Sequence, residues 1–331
     1  MTIKELAREI GVSPTTVSRV MHGRGRISSA TRQKVLERVR EVGYTPNVNA
    51  QRLTVGRTHL VALDFGGWHD FLADMFFVEL TRGVQDALEA HGYGLLLNEA
   101  NDVLRRWVKS RAVDGVILAV GGPPDARVPR DIASTGTPCV VIGHHPLEGI
   151  PGVGSVVVGL RNGAQEVARK LVACGHRRIG FLGNQEPQDA VLLAFREELK
   201  ALGVALCAEL VIPGGRNPAD GERAMRELLM RPDRPTAVFA RTDALAAGAL
   251  RAARRLGISV PTELSLVGHD DVPFAELAEP PLTTVRVNCI ELGKVATEIL
   301  ISLLQQPGLC PAAQVVQTAL VERESVAPPK Q

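Results

Sequence analysis

Thr2-Ile3-Lys4-Glu5-Leu6-Ala7-Arg8-Glu9-Ile10-Gly11-Val12-Ser13-Pro14-Thr15-Thr16-Val17-Ser18-Arg19-Val20-Met21-His22 carries two helix starts and one helix stop in twenty-one residues. Thr2 and Glu5 stand at capping-box spacing, and Ile3, Leu6, Ala7 and Ile10 recur on one helical face. Gly11 ends that helix. Ser13 caps a second, Pro14 suits its first position, and Val17, Val20 and Met21 turn inward. Thr15, Thr16, Ser18, Arg19 and His22 are left facing out. Ser28 then caps a third helix, whose Val35, Leu36 and Val39 close a three-helix core. Two short helices joined by a tight glycine-containing turn, the second with a polar outer face, form a helix-turn-helix, the arrangement that lays its second helix in a DNA major groove.

Charge agrees. Residues 1–57 hold 11 Lys or Arg against 4 Asp or Glu, a net +7, while the remainder carries −5, for the overall +2. A basic end on an acidic body is the electrostatic footprint of a nucleic-acid module. The 331 residues exceed one ordinary domain. No apolar run reaches the ~18 residues of a membrane span, and the amino terminus has no signal-peptide pattern. Cys139, Cys174, Cys207, Cys289 and Cys310 are scattered and odd in number. They suit free thiols in a reducing compartment better than bridges or zinc. The expectation is a cytoplasmic protein at the nucleoid, with no cofactor and no metal.

From Leu60 onward, short runs of Val, Ile and Leu alternate with helical periods: LVALD, YGLLLN, DGVILAV and PCVVIG, then SVVV, RRIGFLG, AVFA and LSLVG. Such strands, separated by amphipathic helices, imply parallel sheets covered on both faces, here as two α/β lobes with a cleft between them. An enzyme on this scaffold would need a catalytic constellation. Gly152-Val153-Gly154 starts no dinucleotide-binding fingerprint, since Val157 stands where the third glycine belongs, and there is neither a phosphate loop nor a nucleophile elbow. His144-His145 and His269-Asp270-Asp271 fall at strand ends, where clefts form, but no nucleophile or further ligand set accompanies them. His176 suits a helix terminus better than a ligand.

The strings TIKELAREIGVSPTTVSRVMHG, SSATRQKVLERVREVGYTPN and NAQRL, followed by FFVELTRGV, VDGVIL, GHRRIGFLG, PTAVFARTDALAAGAL, LSLVGHDD and PPLTTVR, resemble in order and spacing the lactose-repressor (LacI/GalR) family of bacterial transcription regulators. The resemblance covers nearly the whole chain. It implies an all-α helix-turn-helix head at 1–46, a hinge helix or linker at 47–57, and a two-lobed α/β effector domain at 58–331 like periplasmic binding proteins. Lobe 1 is expected at about 58–158 and 289–318, and lobe 2 at about 159–288 and 319–331, with three crossovers. After Pro328-Pro329 too little chain remains for a tetramerising leucine helix, so a homodimer on a palindromic operator is expected.

Residue by residue, the resemblance assigns Thr15, Thr16 and Arg19 to base edges, and Ser13, Ser18, His22, Thr31, Tyr44 and Asn47 to phosphates. Ala50, Gln51 and Leu53 fall in the hinge, with Leu53 as a minor-groove wedge. Its effector positions project onto Asp70, Phe76, Asn162, Val191, Arg216, Thr242, Asp243 and Asp270. Val191 replaces an arginine that commonly holds a sugar hydroxyl, Gly159-Leu160 an Asp-Asn pair, and Thr242 an asparagine. Trp68, Phe71 and Phe76 could stack on a ring, and Arg216 could pair with an anion. The expected effector is therefore not a simple sugar. The alternatives are a cleft without an effector and an enzyme fused to a DNA-binding head.

Overall fold

Helices α1 (Ile3–Ile10), α2 (Pro14–Met21) and α3 (Ser29–Glu41) build the first of two compact units, Met1–His59, in a computed structural model that describes residues 1–21, 25–44, 56–66, 74–98, 101–120, 126–183 and 189–330. The caps fall where the sequence puts them. Thr2 Oγ1 accepts from Glu5 N at 3.3 Å while Glu5 Oε2 accepts from Thr2 N at 2.7 Å, so two orphan donors are satisfied reciprocally. Gly11 ends α1 at φ 77°, a conformation that costs glycine little. Ser13 Oγ accepts from Thr16 N, and Ser28 Oγ from Thr31 N. Leu6, Ala7, Ile10, Val17, Val20 and Val35 are buried together, with Ile3, Met21, Leu36, Val39 and Tyr44 packed around them. Lys34 Nζ donates to the Ile10 carbonyl at 3.0 Å and ties α3 to the carboxyl end of α1.

The second unit, Leu60–Gln331, holds two six-stranded sheets. The first is built from β1 (Leu60–Asp64), β2 (Gly94–Asn98), β3 (Gly115–Ala119), β4 (Cys139–Gly143) and β5 (Val153–Gly159). Between them run α4 (Met75–Ala90), α5 (Asn101–Lys109) and α6 (Arg127–Ser134). The second follows as α7 (Leu160–Ala173), β6 (Ile179–Gly183), α8 (Ala190–Ala201), β7 (Val211–Pro213), α9 (Pro218–Leu229), β8 (Ala237–Ala240), α10 (Asp243–Arg255), β9 (Ser265–Asp270), α11 (Pro273–Leu277) and β10 (Thr283–Arg286). Helix α12 (Cys289–Gln305) returns to the first sheet, which β11 (Gln314–Gln317) extends, and β12 (Ala319–Val321) finishes on the second.

Strand order is β11-β5-β4-β3-β1-β2 in one sheet and β12-β10-β9-β8-β6-β7 in the other. All pairings are parallel except β10 with β12. Strands β3, β4 and β6 are buried at every residue, as sheets covered on both faces require. The chain crosses between sheets three times, after β5, after β10 and at Thr318. One apolar core runs through the crossings, from Val61 and Phe77 to Phe181, Phe239 and Val285.

Strand β7, helix α9, helix α11 and strands β10 and β11 were not expected. Strand β7 and helix α9 occupy the stretch between Leu202 and Ala237, which the apolar runs leave blank. The helix start is nonetheless written there: Asn217 Oδ1 caps Asp220 N, Pro218 takes the first turn, and Ala224, Met225, Leu228 and Leu229 form the buried face. Helix α9 packs on α10 with backbones in near contact, since a Cβ on Gly248 would overlap the Pro218 carbonyl oxygen and one on Gly221 the Leu245 carbonyl oxygen.

Candidate functional site

On the head, α2 presents exposed Thr15 and Arg19 beside half-buried Thr16 and Ser18. The Arg19 side chain lies along Gly25, within contact distance of where a Cβ would be. Ser13 and Thr16 are engaged with each other: their hydroxyls are 2.9 Å apart, and Ser13 Oγ holds the amino end of α2. Thr31 Oγ1 accepts from Ser28 Oγ at 2.8 Å, and Tyr44 is half-buried against the helical core. A helix N-terminus with two hydroxyls is a ready phosphate cradle, while Thr15 and Arg19 are placed to reach further. His22, Asn47, Ala50, Gln51 and Leu53 lie outside the described residues.

In the second unit a cavity of about 390 Å³ opens between the two sheets. Its first-lobe wall is largely hydrocarbon, with Phe76, Phe77, Leu80, Val120, Ile142 and Val158, joined by Leu160. Its second-lobe wall is polar: Asp189, Arg216, Arg241, Thr242, His269 and Asp270. Asp74, His144 and His145, on the first-lobe side, also line it. Four helices start at this cavity. Asp74 Oδ1 accepts from Phe76 N at α4, Asp189 Oδ1 from Val191 N and Leu192 N at α8, and Thr242 Oγ1 from Leu245 N at α10. At α7, which begins with Leu160, no side chain caps the helix among the described residues.

Burial governs the ionisation of these groups. Asp270, held at φ 111°, is pushed up to about 8 by burial, with Asp74 adding to the rise and Arg241 and Arg216 opposing it. His144 is pushed down to about 4 by burial and by Arg241. His269, fully buried beside Phe239, is held well below the usual imidazole range by burial, with Arg241 contributing. Its Nδ1 lies 2.9 Å from Asp270 Oδ1, whereas Nε2 has no hydrogen-bond partner among the described residues. Arg241 Nε donates to Asp189 Oδ2 at 3.3 Å.

Three projected effector residues do not line this cavity. Val191 is fully buried in the core on the first turn of α8. Asn162 serves the last crossover: its Nδ2 donates to the Thr318 carbonyl at 2.9 Å and to Glu166. Asp243 is fully buried and structural, its Oδ1 accepting from Thr284 Oγ1 at 2.6 Å and its Oδ2 from Val272 N at 2.9 Å. A Cβ on Gly159 would meet the tip of the Gln317 side chain, which is free to swing aside. Phe76, Arg216, Thr242 and Asp270 do line the cavity, and Asp70, Trp68 and Phe71 lie outside the described residues.

Residues 2–47 match the profile of bacterial regulatory proteins, lacI family, and residues 168–326 that of a periplasmic binding protein-like domain. The chain is 34% identical over 304 residues to the HTH-type transcriptional regulator DegA of Bacillus subtilis, covering 88% of each protein. It is also 34% identical over 337 residues to the HTH-type transcriptional regulator CelR of Thermobifida fusca, covering 98% of each. The chain belongs to the lacI family of bacterial transcriptional regulators. Among solved structures, a CelR–cellobiose complex shares 32% identity at a TM-score of 0.71, covering 98% of this chain and 99% of that one. The lac repressor dimer bound to operator shares the fold at a TM-score of 0.84 with 24% identity, covering 99% of both.

This lacI-family regulator is thus a helix-turn-helix DNA-binding protein. No helix among its described residues is long and apolar enough to cross a membrane. The projection from the family missed Asp74, Asp189 and Arg241, which the tertiary fold brings to the cavity. His144, His145 and His269 were visible as strand-end clusters. His176 stands at a helix terminus as expected, its N–H closing the end of α7 on the Leu171 carbonyl, and its ring also clamps the tail: Nε2 lies 2.9 Å from the Ala327 carbonyl and 3.0 Å from Ser265 Oγ, and Nδ1 2.9 Å from Thr236 Oγ1.

Because Asp270 is ordinarily half-ionised near pH 3.8 and here near 8, the folded state keeps a proton between those values that the unfolded chain has lost. Stability contributed by this group therefore falls as pH rises through that window, by at most about 1.4 kcal/mol per unit. Asp270→Asn is expected to gain more stability at pH 7.5 than at pH 5 in urea titrations. An equal effect at both pH values would mean that Asp270 is ionised in the fold.

Proposed function

We propose that the regulator binds an approximately palindromic operator as a homodimer, acts as a repressor, and is controlled by a small molecule in the cleft between its lobes, without turnover. The α2 surface carries the first part of this reading: Thr15 and Arg19 stand exposed on a capped helix within the strongly basic segment of the chain. Two such helices related by a twofold axis reach successive major grooves about one helical turn apart. Arg19 reads a guanine bidentately, and Thr15 contributes a hydroxyl and a methyl. Ser13, Ser18 and Thr31 serve phosphates, which set register without carrying sequence information, and half-buried Thr16, whose hydroxyl Ser13 engages, offers its methyl at the base edge beside Thr15.

The effector is linked to DNA through lobe closure. A ligand shifts the operator-binding equilibrium only by its unequal affinity for the two forms. Relatives' structures hold cellobiose or ribose, but here the first-lobe wall is mostly hydrocarbon beside Asp74, His144 and His145, Leu160 takes a place that is polar in sugar-binding relatives, and Val191 is withdrawn into the core. A hydroxyl left without a partner there costs about 1–3 kcal/mol. We therefore favour an effector other than a simple sugar.

The reading is tested by selecting operator sites from random oligonucleotides with the full chain, then comparing full sites with half-sites. A palindrome bound two chains to one duplex is expected. One-to-one binding to a half-site as tight as to the full site would refute it. On the selected operator, Arg19→Ala should lose ~1–3 kcal/mol of discrimination at one base pair. A uniform loss across all sequences would make Arg19 a phosphate contact.

A further inference from the structure

Asp270 reaches the cleft from a turn that the backbone does not adopt by itself. Asp270 stands at φ 111° and Asp271 at φ 58°, both on the side of backbone space that L side chains avoid. Such residues persist only where their surroundings over-determine them. Two holds on this turn are backbone N–H groups: Val287 N donates to the Asp270 carbonyl at 3.2 Å, and Val272 N donates to Asp243 Oδ2 at 2.9 Å. The third is on the Asp271 carboxylate, whose side chain is only 6% exposed.

That third hold comes from the far end of the chain. Arg323 Nη2 donates to Asp271 Oδ1 at 2.7 Å, its Nη1 to the Leu282 carbonyl at 2.8 Å, and its backbone N–H to Thr283 Oγ1 at 2.9 Å. One residue of the tail thus ties the turn after β9 to the segment that enters β10. The tail is fastened beyond it as well: Glu324 N donates to the Pro281 carbonyl, Thr283 N to Ser325 Oγ, and Ala327 N to Ser265 Oγ. Arg286 Nε reaches the other oxygen, Asp271 Oδ2, at 2.6 Å, but its side chain is 56% exposed against 16% for Arg323. Water screens the Arg286 pair, so the sheltered fork of Arg323 carries most of the hold.

Asp271 does not line the cavity. Asp270 does, with its Oδ1 2.9 Å from His269 Nδ1. We propose that Arg323 is a positioning residue of the cleft, clasping Asp271 so that the adjacent Asp270 carboxyl is held at the cavity wall and away from bulk water. This rests on the effector reading only in taking the cleft as the ligand site of the regulator.

The test follows the Asp270 carboxyl by NMR in the full chain labelled with 13C-aspartate, its signal assigned by its loss in Asp270→Asn. Burial holds its midpoint up at about 8 in the native chain. Its charged and titratable neighbours, Asp74, His144, Asp189, Arg216, Arg241, Asp243, His269 and Cys289, all stay in place when Arg323 is replaced. Arg323→Gln should lower the midpoint by at least one pH unit, because a released turn lets water reach the carboxyl. Loss of a nearby cation would by itself raise it, so the direction separates positioning from charge acting through space. With Asp271→Ala already present, Arg323→Gln should change nothing further. Hydrogen exchange at the Val272 and Val287 amides should quicken at least tenfold in Arg323→Gln while amides of β3 and β4 keep their protection. Should Arg323→Gln not fold, Arg323→Lys, which keeps the charge but cannot fork between Asp271 and the Leu282 carbonyl, should lower the midpoint in the same sense. A midpoint that stays or rises, or a fall that persists undiminished without Asp271, overturns the proposal. No ligand enters these measurements, so an unmoved midpoint leaves the effector reading intact, and a cleft that binds no effector leaves the role of Arg323 in holding Asp270 intact.

Discussion

Operator affinity is expected to fall by roughly 10³–10⁵ between 50 and 200 mM salt, the response of a protein that neutralises ~6–10 phosphates. The basis is a segment of 57 residues with net charge +7, attached to a body of net −5. Not all of that charge is available for DNA. Lys34 is spent on the Ile10 carbonyl, and Arg38 bridges Glu9 and Glu41 at 2.8 and 2.9 Å. Two heads on one operator still supply enough cations for this range. Fluorescence anisotropy with the selected operator at several salt concentrations measures the slope. A logarithmic slope shallower than about −3 would mean that fewer than four phosphates are neutralised, and that the basic head is not the main DNA contact.

Replacing Gly248 by valine should destabilise the second unit by more than ~3 kcal/mol, beyond the ~1–3 kcal/mol common for overpacking. Helix propensity alone argues the other way, because glycine in a helix interior costs about 1 kcal/mol relative to alanine. Packing decides the sign. The obstacle at Gly248 is backbone, the Pro218 carbonyl and the Glu222 amide, which cannot swing aside as a flexible side chain could. Helices α9 and α10 must separate, and separation uncovers Ala224, Met225, Leu228, Leu245 and Ala249, all now buried. Urea unfolding of Gly248→Ala and Gly248→Val would show a graded loss. A neutral or stabilised alanine variant would mean that the two helix backbones are further apart than described.

The head was legible almost residue by residue, because its determinants are local. Thr2 with Glu5, Gly11, Ser13 and Ser28 satisfy helix ends within three or four positions of themselves, and the apolar period of α1 and α2 names the buried face directly. The alternation of strands and helices was equally plain, since strands buried on both faces are written as unbroken Val, Ile and Leu. Helix α9 escaped notice because its twelve residues mix Arg and Glu with a narrow apolar face and follow a Pro-Gly-Gly turn, although Asn217-Pro218 marked its start.

The cleft was only partly legible. Arg216, Thr242, Phe76 and Asp270 could be projected from the resemblance, but Asp74, Asp189 and Arg241 could not. Val191 and Asn162 were misplaced for one reason: a residue's position on a helix start does not say whether it faces the cavity or the crossover. For Asn162 it depends on where the tail returns, since Thr318 donates to the Gly159 carbonyl, accepts from Gly163 N and takes the Asn162 amide on its own carbonyl. Sequence by itself determined the family, the DNA-reading head and the layered α/β architecture, because caps, periodicity and charge act over a few residues. Only the tertiary structure decided which side chains meet in the cleft and how they are charged. Strand ends hundreds of residues apart converge there, and burial among them sets the ionisation of Asp270 and the orphan nitrogen of His269.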